Sequence, residues 1–231
     1  MTIWMQTRSG AAFDLIHPDP AMVDFREIAE ALGQINRFAG HTSRPVSVAL
    51  HTLTVAEITQ KASPSAVPWA LLHDAHEAYT GDITTPVQHA IAVMAARAAE
   101  VAHRSHANEL GAQGAIEDEF SNSVGLCVAN CLDNLKSRID TAILTASGLL
   151  WRSPGYPGSV ARDQVHHADL VALVTERRDF LGRPRRPWDA DIEAIKPLRE
   201  PIRWRSGPEA AEELYRAFSH HLPALWPGHR R

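Results

Sequence analysis

The segment from His73 to Asp82, HDAHEAYTGD, places five histidine and carboxylate side chains within ten residues. It follows the apolar run WALL at residues 69–72, and together they predict a mostly buried helix over residues 67–79. Burying a charged group without a partner is costly, and a metal ion is one of the few partners that can compensate several such groups at once. The segment therefore predicts a helical fold that holds a metal ion.

Helical periodicity dominates the rest of the chain. Further helices are predicted over residues 25–32, 46–61, 86–110, 127–148, 160–181 and 208–221, with a polar segment at 111–123 and a loop at 151–158. Residues 3–7 and 11–15 alternate as the strands of a β-hairpin do. Asp24 is expected to cap the first helix and Gly33 to end it. No internal repeat or low-complexity linker interrupts this pattern, so we predict an all-α protein with a single domain over residues 1–231.

Composition limits the function classes. The chain has 231 residues, of which 45% are hydrophobic and 22% charged, as is ordinary for a globular protein. Its net charge of −4 argues against a general nucleic-acid or membrane surface, and no apolar run is long enough to cross a bilayer. The N-terminus lacks the apolar core of a signal peptide, so we expect a cytoplasmic protein. Cys127 and Cys131, at i and i+4, are expected to be buried thiols rather than a disulfide.

His51 is the candidate metal ligand upstream of this segment. It lies on an apolar stripe with Val48 and Val55, where a lone histidine is more often a hydrogen-bonded core residue than a ligand. The next predicted helix, however, carries His73 and Asp74. Two helices joined by a short connection pack antiparallel, so His51 and the His-Asp pair can converge on one ion.

Two downstream carboxylates compete for a further ligand position. Asp140 lies at the margin of its apolar stripe, one turn after Lys136, which is typical of an exposed charge pair. Asp169 is surrounded at helical spacing by apolar residues such as Val165 and Leu173. A carboxylate inside an apolar face requires a cation, so we prefer Asp169.

Glu77 and Asp82 are the candidate catalytic carboxylates. Glu77 shares a helical face with His73 and Asp74 and lies one turn beyond these two candidate ligands, where it can hold or deprotonate a metal-bound water molecule. Asp82 follows Gly81, and the residues alone leave open whether it caps the next helix or contacts a substrate.

The order of His51, His73-Asp74 and Asp169 resembles the H…HD…D signature of the HD-domain metal-dependent phosphohydrolases. The closer resemblance is to the 5′-deoxynucleotidase-like branch, and most of the chain takes part in it. The segments that carry it are SGAAFDL at 9–15, INRF at 35–38, GHT at 40–42, SVALH at 47–51, HDAHEAYTGDITTP at 73–86 and ADLVALVTE at 168–176. The HDxxExxxGD block with an upstream histidine is highly specific.

This resemblance implies an HD-domain helical bundle, in which residues 1–20 form the N-terminal hairpin and loop and residues 182–231 pack on the bundle as a C-terminal extension. It implies that one divalent ion (Mn, Co, Fe, Ni or Zn) is bound by His51, His73, Asp74 and Asp169. Glu77 would then assist the attacking water, and Asp82 would contact the nucleotide sugar or support the site. Arg37 matches the phosphate-binding arginine of the family, and His41 and His76 are candidate phosphate contacts.

The implied function is hydrolysis of (deoxy)ribonucleoside 5′-monophosphates by a metal-activated water. The alternative is a hydrolase of the same fold acting on nucleoside triphosphates or other small phosphate esters, and the less favoured one is a non-catalytic nucleotide-binding protein. Few further arginines, among them Arg44, are candidates for contacts to additional phosphates, which favours one phosphate. We expect a small-molecule nucleotide as the partner, with no nucleic acid and no membrane, and the sequence leaves a homodimer open.

Overall fold

The computed structural model describes residues 3–109, 118–149 and 159–227, and their regular secondary structure is helical except for one small hairpin and one isolated β-bridge between Asn36 and Ser47. Strands β1 (Trp4–Gln6) and β2 (Ala12–Asp14) pair antiparallel, with Met5 opposite Phe13. The helices are α1 (Phe25–Gln34), α2 (Val48–Ala62), α3 (Val67–Leu72), α4 (Glu77–Thr80), α5 (Thr85–Glu109), α6 (Asp118–Ser147), α7 (Ser159–Phe180), α8 (Ala190–Glu193) and α9 (Gly207–His221). The predicted all-α class with an N-terminal hairpin is therefore confirmed.

The chain divides into two compact units. One comprises Met1–Asp82 and Ile139–Arg231, and the other comprises Ile83–Arg138. Every residue predicted for the site lies in the first unit. Part of the predicted polar segment is helical, since α6 begins at Asp118, whereas residues 110–117 and the predicted loop at 151–158 lie outside the described residues. No helix among the described residues is long and apolar enough to cross a membrane.

Helices α5 and α6 approach each other closely within the second unit. A Cβ atom on Gly125 would lie 2.8 Å from the carbonyl oxygen of Ala92, so this face of α6 is turned toward α5. Cys127 and Cys131 follow Gly125 by two and six residues, which places them about 200° and 240° further around the helix. The prediction that both thiols are buried is therefore wrong, because both are exposed free cysteines on the opposite face.

Helix α2 forms the centre of the first unit and packs against α1, α3, α7 and α9. Ten of its fifteen residues are buried, and its polar members His51, Thr52 and Thr54 are buried with the rest. A helix that is buried on nearly all sides cannot be recognised from a single apolar stripe. Its position brings His51 into the interior of the unit.

Gly33 lies inside α1, which continues to Gln34, so the prediction that Gly33 ends this helix is wrong. The residue is buried where α1 crosses α9. A Cβ atom on Gly33 would lie 2.7 Å from the carbonyl oxygen of Gly207 and 2.8 Å from Cβ of Ala211. Glycine is therefore required here by close helix packing. The predicted cap at Asp24 is confirmed, since its carboxylate accepts hydrogen bonds from the backbone N–H groups of Arg26 and Glu27.

The predicted helix over residues 67–79 is divided into α3 and α4 by a turn at residues 73–76. The Ala75 N–H donates to the Leu72 carbonyl at 3.1 Å and the Glu77 N–H to the Asp74 carbonyl at 3.0 Å, which is the tighter i to i+3 pattern. At this turn Nδ1 of His73 donates to the Ala70 carbonyl at 2.7 Å. This side-chain bond competes for the acceptor that an uninterrupted α-helix would offer to the Asp74 N–H. His73 and Glu77 therefore do not share one α-helical face as predicted.

Candidate metal centre

His51 is held by helix α2 with no solvent exposure. Ser47 caps this helix by accepting a hydrogen bond from the Leu50 N–H at 3.2 Å, which places His51 in the first turn. Nδ1 of its ring lies 2.9 Å from Oε1 of Glu176, and Nε2 lies 3.1 Å from Oδ1 of Asp169. Helix α7, which carries both carboxylates, packs directly on α2. The ring is therefore fixed at both nitrogens.

His73 and Asp74 reach the same point from the turn between α3 and α4. The bond from Nδ1 of His73 to Ala70 directs Nε2 toward His51, and the two Nε2 atoms lie 3.3 Å apart. Oδ2 of Asp74 lies 3.1 Å from Nε2 of His73 and 3.5 Å from Nε2 of His51. The tight turn thus directs the side chains of the adjacent residues His73 and Asp74 to the same point beside Nε2 of His51.

His51, His73 and Asp169 form a group that can hold a metal ion. One ligand atom of each lies within 4.8 Å of the others. Imidazole nitrogens bound to one ion at about 2.0–2.1 Å lie roughly 2.8–3.0 Å apart at adjacent octahedral positions and roughly 3.3–3.4 Å apart in tetrahedral geometry, and the observed 3.3 Å matches the tetrahedral spacing. Two imidazoles with a carboxylate suit Zn, Mn, Fe, Co or Ni. The donor set therefore fits a divalent transition metal.

The charges around this group favour ionised carboxylate ligands. Burial raises the pKa of Asp169, but the hydrogen bond and positive charge of His51 outweigh it, so the pKa is lowered. Burial likewise opposes ionisation of Asp74, whose pKa is nevertheless held far below its usual value by His73, His51 and Arg37. For His51, burial and Arg37 lower the pKa, whereas Glu176 and Asp169 raise it to about 10. A bound cation would take the place of the proton on Nε2 of each imidazole, whereas Nδ1 would keep its proton.

Glu176 is a site residue to which the sequence assigned no role. Its side chain is 1% exposed, and Oε2 accepts a hydrogen bond from Nε of Arg37 at 2.9 Å while Oε1 faces His51. Burial raises its pKa, but Arg37 and His51 outweigh burial and lower it. The signal was present in the sequence, because Glu176 follows Asp169 by seven residues, or two helical turns, and so shares its face of α7.

Arg37 lies beside the metal group on a strained turn. Its backbone N–H donates to the Val46 carbonyl at 2.8 Å, and its Nη1 lies 3.9 Å from Oδ2 of Asp74. The next two residues, Phe38 and Ala39, have φ values of 55° and 49°. Residues other than glycine rarely adopt this left-handed region, and such strain concentrates at functional sites.

Glu77 and Asp82 place two further carboxyl groups close enough to Asp74 and Arg37 to interact with them electrostatically. Oε2 of Glu77 is buried and has no hydrogen-bond partner among the described residues. Burial, together with the carboxylates of Asp74 and Asp82, raises the pKa of Glu77 to about 9. Burial also raises the pKa of Asp82, against the effect of Arg37. A buried carboxylate oxygen without a partner indicates a site for a water molecule or a cation.

The two remaining predicted residues lie apart from this group. His76 is buried, and its Nδ1 lies 3.1 Å from Oδ1 of Asp140. The prediction that Asp140 is a surface partner of Lys136 is therefore wrong, because Asp140 is a half-buried partner of His76. His41 is exposed at the end of the turn at Arg37–Gly40, and within the described part of the chain its side chain makes no hydrogen bond or ion pair with the group.

Comparison with known proteins identifies two relatives, of which one is matched over most of its length. No protein-family model matches it. It is 39% identical over 94 residues to an uncharacterized protein of Rhodobacter capsulatus; the match covers 38% of this chain and 48%, or about half, of that protein. It is 36% identical over 179 residues to the uncharacterized protein YfdR of Escherichia coli K12, covering 77% of this chain and 72% of YfdR. The chain therefore belongs to the same protein family as YfdR.

Proposed function

We propose that the chain is a metal-dependent phosphohydrolase that converts (deoxy)ribonucleoside 5′-monophosphates and water into nucleosides and inorganic phosphate. The observation that carries this proposal is the group of His51, His73 and Asp169, whose ligand atoms lie within 4.8 Å of one another beside Arg37 and Glu77. Metal-assisted phosphoester hydrolysis requires metal ligands, an arginine that binds the phosphate anion and an unpaired carboxylate.

His51, His73, Asp74 and Asp169 would hold the ion, with Asp74 as the fourth ligand. A divalent ion in such a site lowers the pKa of a water ligand and polarises a phosphoryl oxygen. The contact between Nδ1 of His73 and Ala70 and that between Nδ1 of His51 and Glu176 keep both rings oriented for ligation.

Arg37 would bind the phosphate. Its guanidinium is only 12% exposed, and its Nε is already used by Glu176, so the group is held in place before a substrate arrives. The other nitrogens of an arginine side chain form a planar fork that matches two phosphate oxygens. Fixed donors of this kind stabilise the negative charge that develops in the transition state.

Glu77 would accept the proton of the attacking water as the water oxygen bonds to phosphorus. It would return this proton to O5′ as the bond from phosphorus to O5′ breaks, so that the nucleoside leaves with a hydroxyl group. A useful general base has a pKa near the operating pH. Burial and the neighbouring carboxylates of Asp74 and Asp82 raise the pKa of Glu77 to about 9, and a cation held beside it would lower this pKa, so that the carboxylate is ionised and can take a proton. Its unpaired Oε2 leaves an acceptor for the water. Asp82 would bind the sugar or support Glu77.

One observation favours a single phosphate over a triphosphate. Arg44, a candidate for contacts to additional phosphates, stacks over the ring of Trp204 at 5.3 Å from its centroid. The guanidinium group of Arg44 is therefore engaged in packing against Trp204, which favours a substrate with a single phosphate.

A phosphate-release screen tests the proposal. The chain is incubated with nucleoside mono-, di- and triphosphates and with Mn²⁺, Co²⁺, Ni²⁺, Zn²⁺ or Mg²⁺, with Asp169→Ala as the inactive control. We expect metal-dependent release from 5′-monophosphates by the natural chain alone. Release from triphosphates only would favour the alternative substrate class, and metal binding without any release would favour a non-catalytic nucleotide-binding protein.

A further inference from the structure

Glu176 contacts two parts of the site at once. Oε1 lies 2.9 Å from Nδ1 of His51, and Oε2 accepts from Nε of Arg37 at 2.9 Å. The side chain is fully enclosed, so neither oxygen can exchange its partner for bulk water. Its two oxygens are therefore committed to residues from two different segments, helix α2 and the turn before it.

The contact with His51 determines which ring nitrogen can bind a metal ion. A proton on Nδ1 that is donated to Glu176 leaves the lone pair on Nε2, which faces Asp169 at 3.1 Å and His73 at 3.3 Å. A carboxylate behind a ligating histidine sets its tautomer and orientation in this way in many metal sites. Without Glu176, the ring of His51 would lose the acceptor that keeps Nε2 directed to the centre.

The contact with Arg37 fixes the plane of the guanidinium. Nε is the donor closest to the side-chain stem, so a bond at this atom orients the two terminal nitrogens together. Nη1 then lies 3.9 Å from Oδ2 of Asp74, at the edge of the metal group. The left-handed residues Phe38 and Ala39 directly after Arg37 cannot supply this orientation, because they fix only the backbone.

We infer that Glu176 is a positioning residue that holds the metal ligand His51 and the anion-binding Arg37 in a fixed relation, so that metal binding and phosphate binding both depend on one carboxylate. The inference rests on the proposed function for the role of Arg37. Its metal-binding half depends only on the contacts of His51.

A purely electrostatic role for Glu176 leads to a different result. Removing its negative charge would strengthen the attraction of the site for phosphate, since Arg37 would lose the anion that neutralises it. Loss of positioning instead weakens phosphate binding. The direction of the change in phosphate affinity therefore separates the two roles.

The test uses the full chain with Glu176→Gln, which keeps the size of the side chain but cannot accept from both partners, and Glu176→Asp, which keeps the charge but is one methylene shorter. Glu193→Gln is the matched control, because Glu193 pairs with Nη1 of Arg177 at 2.8 Å and contacts no predicted ligand. Circular dichroism verifies folding of each variant. Titration with Co²⁺ gives the metal affinity, and titration of the Co²⁺-saturated protein with inorganic phosphate gives the anion affinity.

We expect both Glu176 variants to bind Co²⁺ about 10–100-fold more weakly than the natural chain, and to bind phosphate more weakly as well, while Glu193→Gln changes neither. If Glu176→Gln does not fold, Glu176→Asp decides the question. Unchanged Co²⁺ affinity, or tighter phosphate binding in Glu176→Gln, would overturn the inference. A natural chain that binds Co²⁺ and phosphate but hydrolyses no phosphate ester would overturn the proposed function and leave the positioning role intact, whereas one that binds no Co²⁺ would overturn both.

Discussion

The contact between Gly33 of α1 and Gly207 of α9 leads to a quantitative prediction about stability. A Cβ atom on Gly207 would lie 2.0 Å from the carbonyl oxygen of Gly33, whereas a Cβ atom on Gly33 would lie 2.7 Å from that of Gly207. Both atoms struck are backbone, so the helices themselves must move apart. Overpacking of this kind costs about 1–3 kcal/mol.

The cost is partly offset at Gly33, because alanine is favoured over glycine inside a helix by about 1 kcal/mol. We therefore expect Gly33→Ala to lower the free energy of unfolding by about 0–2 kcal/mol and Gly207→Ala, with the shorter contact, by about 2–3 kcal/mol. One separation of the helices relieves both clashes, so the double variant should lose less than the sum of the two.

Urea unfolding followed by circular dichroism measures these changes as shifts of the midpoint at constant slope. Gly182→Ala is the control, because apart from its chain neighbours no described residue has a heavy atom within 4 Å of the Cβ position, and its effect should stay within about 0.5 kcal/mol. The packing explanation is refuted if Gly207→Ala is as stable as the natural chain, or if the losses in the double variant add fully.

Three further predictions concern the site and the hairpin. Glu77→Gln should keep the metal but lower phosphate release by about 10²–10⁴-fold, as measured by a phosphate assay on metal-loaded protein; unchanged turnover would exclude it as the base. Phe13→Ala should lower the free energy of unfolding, measured by urea unfolding, by about 3–5 kcal/mol. The reason is that Phe13 is fully buried and its ring stacks on that of Tyr79, with the two ring centroids 3.8 Å apart. A loss below about 1 kcal/mol would contradict this. Adding Co²⁺ at 100 times its Kd should stabilise the chain by about 2.7 kcal/mol, which raises Tm by roughly 5–11 °C in a thermal scan; no shift would argue against an ordered metal site.

The sequence predicts most helices, because their apolar periodicity reflects packing that the structure retains. The prediction of helix boundaries fails where a tertiary or side-chain contact overrides the structure that the local sequence favours. Gly33 carries the signal of a helix end, but its role is to let α9 approach α1. The helix predicted over residues 67–79 is divided by a turn at which the side chain of His73 donates to the carbonyl of Ala70, a bond that no pattern of apolar residues can reveal.

The candidate site was predictable to a similar extent. His51, His73 and Asp169 stand out because polar residues inside apolar faces require a partner, and the structure brings these three together. Glu176 was missed although it shares the helix face of Asp169. Its partners, His51 and Arg37, lie more than one hundred residues earlier in the chain, as the separations of 125 and 139 residues show. Such a pairing depends on how α7 packs on α2.

The most direct test of the central claim is the number of metal ions bound per chain in three proteins: the natural chain, Asp169→Ala and Asp140→Ala. Asp169 faces His51, whereas Asp140 faces His76, so the two variants remove carboxylates from different partners. Equilibrium dialysis against Co²⁺ followed by elemental analysis gives the ratio. We predict one ion per chain for the natural protein and for Asp140→Ala, and none for Asp169→Ala at the same free Co²⁺ concentration. A metal that is lost with Asp140 and retained without Asp169 would contradict the account.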